Sequence, residues 1–168
     1  MRKYISPFVC GFGAGVLQVV PVAKSLACCF IIPLAAFLSL YLELKANPSS
    51  VQIQLKKGLI FGLLTGLFAA LFGSFFDIFI TLLTKNNDIV AAFPELQKMI
   101  NGFPLSEELK KEVLRLFNSV RNEILRYGFS PLYTISVLIN NLVINSIFGM
   151  IGGLVGTQVI NSKFKNQN

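Results

Sequence analysis

Histidine is absent from the 168 residues, cysteine occurs three times, and charged side chains make up only 14% of the chain. Without histidine, the commonest metal ligand and the commonest partner of a catalytic nucleophile are both missing. No catalytic, cofactor-binding or metal-ligating residues are therefore assigned, and no enzyme activity is expected. Cys10, Cys28 and Cys29 all lie in apolar runs, where small packing side chains are their ordinary role. Cys28 and Cys29 are adjacent, and Cys10 lies at another depth if residues 5–44 form a hairpin, so no structural disulfide is expected. A soluble domain carries about 25% charged residues, so the shortage of charge points to a membrane protein of one domain. The net charge of +7 does not signal nucleic acid. The basic residues sit at the ends of apolar runs and in one mixed-charge loop, which is the flanking pattern of membrane spans.

Long apolar runs are what the chain has instead. They predict an all-α integral membrane protein with four transmembrane helices, about 5–23, 25–44, 58–84 and 132–160. Together these form a single four-helix membrane domain over 1–168, with an extramembrane helical loop, 85–130, inserted between spans three and four. Pro33 is expected to kink the second span, and Asn47-Pro48-Ser49-Ser50 reads as the turn before the third. Arg2-Lys3 before an apolar run resembles a signal peptide. Ser25-Leu26-Ala27-Cys28 resembles a lipoprotein cleavage box, but Ser25 stands where a leucine-like residue is needed, so the first span is read as uncleaved. Four spans place both termini on one side, with Arg2, Lys3, Lys45, Lys56, Lys57, Lys163 and Lys165. Lys24 and the seven basic residues of the 85–130 loop lie on the other. The tally is nearly even, but the first set flanks the spans more tightly. This favours cytoplasmic termini.

Small residues mark one stripe of the third span: Gly58, Gly62, Gly66, Ala70 and Gly73, followed by Asp77, Thr81 and Thr84. In lipid, small side chains let helix backbones approach closely. The fourth span carries a matching stripe: Asn141, Asn145, Gly149, Gly152 or Gly153, and Gly156. Gly58, Gly62, Gly66, Gly73, Gly149, Gly153 and Gly156 are the helix-packing candidates. If the two spans run antiparallel with Gly58 level with Ile160, Gly66 lies level with Gly152 and Asp77 with Asn141. Asp77, Asn141 and Asn145 then form a polar patch. Asp77 lies about 30 Å along the helix from Lys57 at ~1.5 Å per residue, roughly a full hydrocarbon thickness. An interfacial acid and an ion site are both open for it. Gly11 and Gly15 fit helix packing better than a nucleotide loop.

The loop holds one strongly amphipathic helix, about 107–127. Ser106 caps it, Glu107 and Glu108 favour its positive end, Glu107 and Lys111 are an i,i+4 pair, and Gly128 and Pro131 end it. Leu109, Val113, Leu116, Val120 and Ile124 form its apolar face. That face can cap the protein's own bundle, dock a partner or lie on lipid. A shorter helix is expected from Pro94 to Asn101-Gly102.

In layout the chain resembles small uncharacterised four-span bacterial membrane proteins with a domain of unknown function, common in Bacteroidota and relatives. The residues that carry the resemblance are Lys57-Gly58 through Phe76-Asp77, the Glu/Lys-rich loop, Pro131, and Gly149–Lys163. It implies a bacterial inner membrane location and this architecture, and supplies no reaction. The function expected is a non-enzymatic structural or accessory subunit of a larger membrane assembly. The alternative is a small oligomeric channel or transporter working through Asp77, Asn141 and Asn145. Membrane lipid and either a protein partner or a second copy are the expected partners; no cofactor is expected.

Overall fold

The first apolar run is broken by Pro21. Proline disfavours helical backbone at the residue before it, and Val20 is extended, with φ −79° and ψ 122°. Helix α1 is consequently Ile5–Leu17, short of the 5–23 expected. The chain then turns, makes the single turn α2 (Pro21–Lys24), and continues through a π-helical turn at Ala27–Ile31 into α3 (Ile32–Ala46). The computed structural model describes residues 4–48 and 52–165, and the side chains of all of these but 22 and 163–165. Arg2, Lys3, Ser49 and Ser50, and the side chains of Lys163 and Lys165, lie outside the described residues.

Pro33 acts through the π turn that precedes it. The Ile31 N–H reaches back five residues to the Leu26 carbonyl at 3.3 Å, and the Ile32 N–H bonds that of Ala27. Proline supplies no N–H to continue the i→i−4 ladder, and a widened turn absorbs the gap.

The remaining helices are α4 (Leu55–Thr84), α5 (Asp88–Gly102), α6 (Glu107–Tyr127) and α7 (Pro131–Lys165). No strand occurs among the described residues. Three segments are long and apolar enough to cross a membrane: Ala27–Ala46, Leu55–Thr84 and Pro131–Ser162. Helix α1, with 13 residues, rises only about 20 Å, less than the ~30 Å of hydrocarbon.

The chain divides into two compact units, 1–76 with 137–168, and 77–136. In the first, α1 lies along α4 through Gly11 and Gly15: a side chain on Gly11 would meet Phe68 and Thr65, and one on Gly15 would meet Phe72 and Gly73. Phe8 and Phe12 pack edge-on against Phe68, Phe72 and Phe76. Ala14, Ile32 and Ala69 form one buried cluster, and Leu40, Ile53, Phe61 and Ile160 another. Asn161 ties the approach to α4 onto α7: its Oδ1 accepts from the Ile53 N–H and its Nδ2 donates to the Ile53 carbonyl, both at 2.9 Å.

This unit buries polar side chains beside its apolar clusters and exposes a long apolar face. Gln18, Ser39, Thr65, Ser74, Asn145 and Thr157 are buried, while Ile139, Val143, Ile147, Ile151, Val155 and Val159 recur every fourth residue along α7 and are exposed. An apolar face of that length exposed to water would be an aggregation site; in lipid it meets its own kind.

In the second unit, α5 begins earlier than Pro94. Asn87 caps it, its side chain accepting from the Val90 N–H at 3.0 Å, and Asp88 occupies the first turn. Pro94 is tolerated inside the helix. Helix α6 has the ends its caps dictate: Ser106 Oγ accepts from the Leu109 N–H, and Gly128 closes the helix in the left-handed region at φ 71°. A side chain at Gly128 would also meet the Leu82 carbonyl, so both conformation and space require glycine there. Glu107 pairs with Lys110 at 3.0 Å rather than with Lys111; i,i+3 residues are equally neighbours on a helix. Helices α5 and α6 pack together, with the Arg121 guanidinium over the Phe93 ring at 5.0 Å.

Candidate functional site

Small residues allow α4 and α7 to touch backbone to backbone, running antiparallel. A methyl group on Gly62 would overlap the Gly149 carbonyl, one on Gly66 the Asn145 carbonyl, and one on Gly58 the Thr157 hydroxyl and the Gly153 carbonyl. Five of the expected packing glycines, Gly58, Gly62, Gly66, Gly149 and Gly153, thus meet in one seam. The other two face different helices: Gly73 lies against Gln18 at the end of α1, and Gly156 against Phe37 and Leu40 of α3. Gly152 meets Pro33.

The register differs from the end-matched one. Matching Gly58 to Ile160 puts Gly156 opposite Gly62, whereas the structure puts Gly149 there, seven residues away. Seven residues are about two helical turns, so the same face is presented at a different depth. Gly66 accordingly meets Asn145, not Gly152.

The polar candidates take separate partners as a result. Tyr133 Oη donates to Asp77 Oδ2 at 2.5 Å. Asn141 Nδ2 donates to Ser74 Oγ at 2.9 Å. Asn145 Nδ2 donates to Gln18 Oε1 at 3.1 Å. The expected match of Asp77 to Asn141 gives way to Asp77 with Tyr133, on account of the two-turn shift. Replacing Tyr133 by phenylalanine removes a hydrogen bond to a carboxylate, worth about 1.5 kcal/mol at the low end for such bonds. The expected result is roughly tenfold faster amide exchange in the last turns of α4 and the first of α7, read by hydrogen-exchange mass spectrometry.

Two residues of this region were not candidates from sequence. Gln18, the C-cap of α1, is buried with its Nε2 lacking an acceptor. Its signal was an amide at the end of an apolar run. Glu43 is the more deeply buried acid: it is 4% exposed, whereas Asp77 is half-buried. In the sequence Asp77 lies well inside an apolar run, whereas Glu43 stands near the end of one, two residues before Lys45. In the structure Lys57 Nζ lies 3.5 Å from Glu43 Oε1, and Asn47 Nδ2 donates to the same oxygen at 3.3 Å. A further stitch joins α4 to α3, Thr65 Oγ1 lying 3.1 Å from Ser39 Oγ.

The apolar face of α6 is split. Val120 and Ile124 are buried, Val113 is half-buried, and Leu109 and Leu116 are about half exposed. Of the expected docking face, Leu109 and Leu116 are the exposed residues. No family model, curated protein or solved structure matches the chain.

Proposed function

We propose that this chain is a multi-pass membrane protein of four crossings that serves as a structural or accessory subunit of a larger assembly. The first crossing is completed by α1 and the turn after it, since Gly11 and Gly15 hold α1 against α4. The location is the bacterial inner membrane. Lys45, Lys56 and Lys57, at the ends of α3 and α4, favour the side that also carries the termini as the cytoplasmic one.

The observation that carries this reading is how the polar groups are used. Asn141, Asn145, Thr65 and Tyr133 bond to other side chains of the same chain, as helix-tying residues do in lipid. The apolar Leu109 and Leu116 are left facing outward on a well-capped helix. Extraction in a mild detergent followed by native mass measurement tests it. The expected mass exceeds that of one chain, and Leu109→Glu with Leu116→Glu dissolves the complex while α6 stays folded. A lone monomer that carries no partner overturns the reading.

A second reading, a small oligomeric channel or transporter, is favoured by one observation: the unpartnered Nε2 of Gln18 beside Asn145. A buried donor without an acceptor is costly, and a passing solute or water would satisfy it. Flux through proteoliposomes that falls in Gln18→Leu would favour this reading over the first.

A further inference from the structure

A recess of about 160 Å³ opens at the start of α4, lined by Tyr4, Gln54, Lys56, Lys57, Ile60 and Phe61. Small-molecule sites run to roughly 300–1,000 Å³, so this recess suits a single headgroup-sized moiety. Its wall has two parts. Gln54, Lys56 and Lys57 supply amide and ammonium groups. Tyr4, Ile60 and Phe61 supply an apolar edge, of which Tyr4 is 48% and Ile60 37% exposed. Lys56 and Ile60 are one turn apart, on the same face of α4.

Among the described residues, Lys56, Lys57 and Glu43 are the charged groups at the recess. Lys57 is held over the Phe61 ring at 5.5 Å and faces Glu43 at 3.5 Å, which offsets its charge. Lys56 is exposed and has no carboxylate partner among the described residues. The three groups sum to one positive charge, the complement of one phosphodiester. The positive end of the α4 dipole adds to the same potential.

We propose that this recess binds the phosphate of an anionic phospholipid, with Lys56 and Lys57 on the headgroup and an acyl chain along Tyr4 and Ile60. A basic recess bordered by exposed apolar side chains at the end of a spanning helix fits an amphiphile with a charged head better than a free anion. The inference rests on the membrane reading above, and the two fail separately. A chain found in the soluble fraction without detergent refutes the membrane reading, whereas a detergent-extracted chain without headgroup preference refutes only the recess.

The test is native mass spectrometry of the full chain in mixed micelles holding equal phosphatidylglycerol and phosphatidylcholine. Phosphatidylglycerol is retained preferentially. Lys56→Ala lowers its retention about fivefold, the change expected for one lysine at an anionic surface. Lys45→Ala leaves retention unchanged, because Lys45 is an exposed lysine at the end of α3 and does not line the recess. Inorganic phosphate added in excess does not displace the lipid. Equal retention of the two lipids, no effect of Lys56→Ala, or an equal loss in Lys45→Ala overturns the proposal. Displacement by inorganic phosphate overturns the lipid as the source of the group.

Discussion

Gly62→Leu is expected to lower the thermal unfolding midpoint in detergent by about 5–10 °C. A side chain at Gly62 meets the Gly149 carbonyl and the Gly153 Cα of α7. These are backbone atoms, which have no alternative rotamer, so the helices must separate or slide. Overpacking of this kind costs about 1–3 kcal/mol, and each kcal/mol moves the midpoint of a chain of this size by about 2–4 °C. Parting the seam also removes the contacts at Gly58 and Gly66 on either side. Gly13→Ala is the control. A side chain there meets nothing within 4 Å, and alanine favours helix over glycine, so the midpoint should hold or rise. Equal effects of the two substitutions would show that helix propensity, not the seam, sets stability.

The second large effect concerns Glu43, the more deeply buried acid. Lys57→Leu leaves the buried Glu43 carboxylate with Asn47 as its remaining donor among the described residues. Removing one partner of a buried ion pair costs about 3–5 kcal/mol. The Lys57 side chain is 38% exposed, and water screening at that end puts the expected loss nearer about 2 kcal/mol. Glu43→Leu costs less, because the freed ammonium can turn to solvent. The double variant recovers most of the loss, since an apolar pair of similar volume is close to neutral in such positions. A cycle of the four proteins, measured by midpoint in one detergent, gives the coupling directly. Additive losses would mean that the two groups do not interact.

Features governed by neighbouring residues were legible before the fold was known. The ends of α6 at Glu107 and Tyr127 follow from Ser106 and Gly128, because a cap acts on amides within one turn of it. The apolar runs of α3, α4 and α7 are legible for the same reason: crossing length depends on the run itself. Local signals were also misjudged. Pro21 shortened the first helix, and Asn87, three residues before its hydrogen-bond partner Val90, was the cap that started α5 well ahead of Pro94.

Depth and partnership were a different matter. The glycine stripes showed which faces of α4 and α7 can meet, and that is a property of sequence, since only small residues admit backbone contact in lipid. They did not show the register. A slide of seven residues brings nearly the same face round again, and Gly62 finds a glycine in either position, Gly149 or Gly156. Which one it meets is decided by everything else along the seam at once: Asn145 at Gly66, Thr157 at Gly58, and Gly156 already taken by Phe37. Once that depth is set, Asp77 falls to Tyr133, Asn141 to Ser74 and Asn145 to Gln18. The sequence by itself determined an α-helical chain with membrane-length apolar runs, its small-residue faces and its one sharply capped amphipathic helix, because these depend on side chains within a few turns. Only the tertiary structure decided the register, the polar pairings and the burial of Glu43, because each depends on which residue of a distant helix arrives at the same depth.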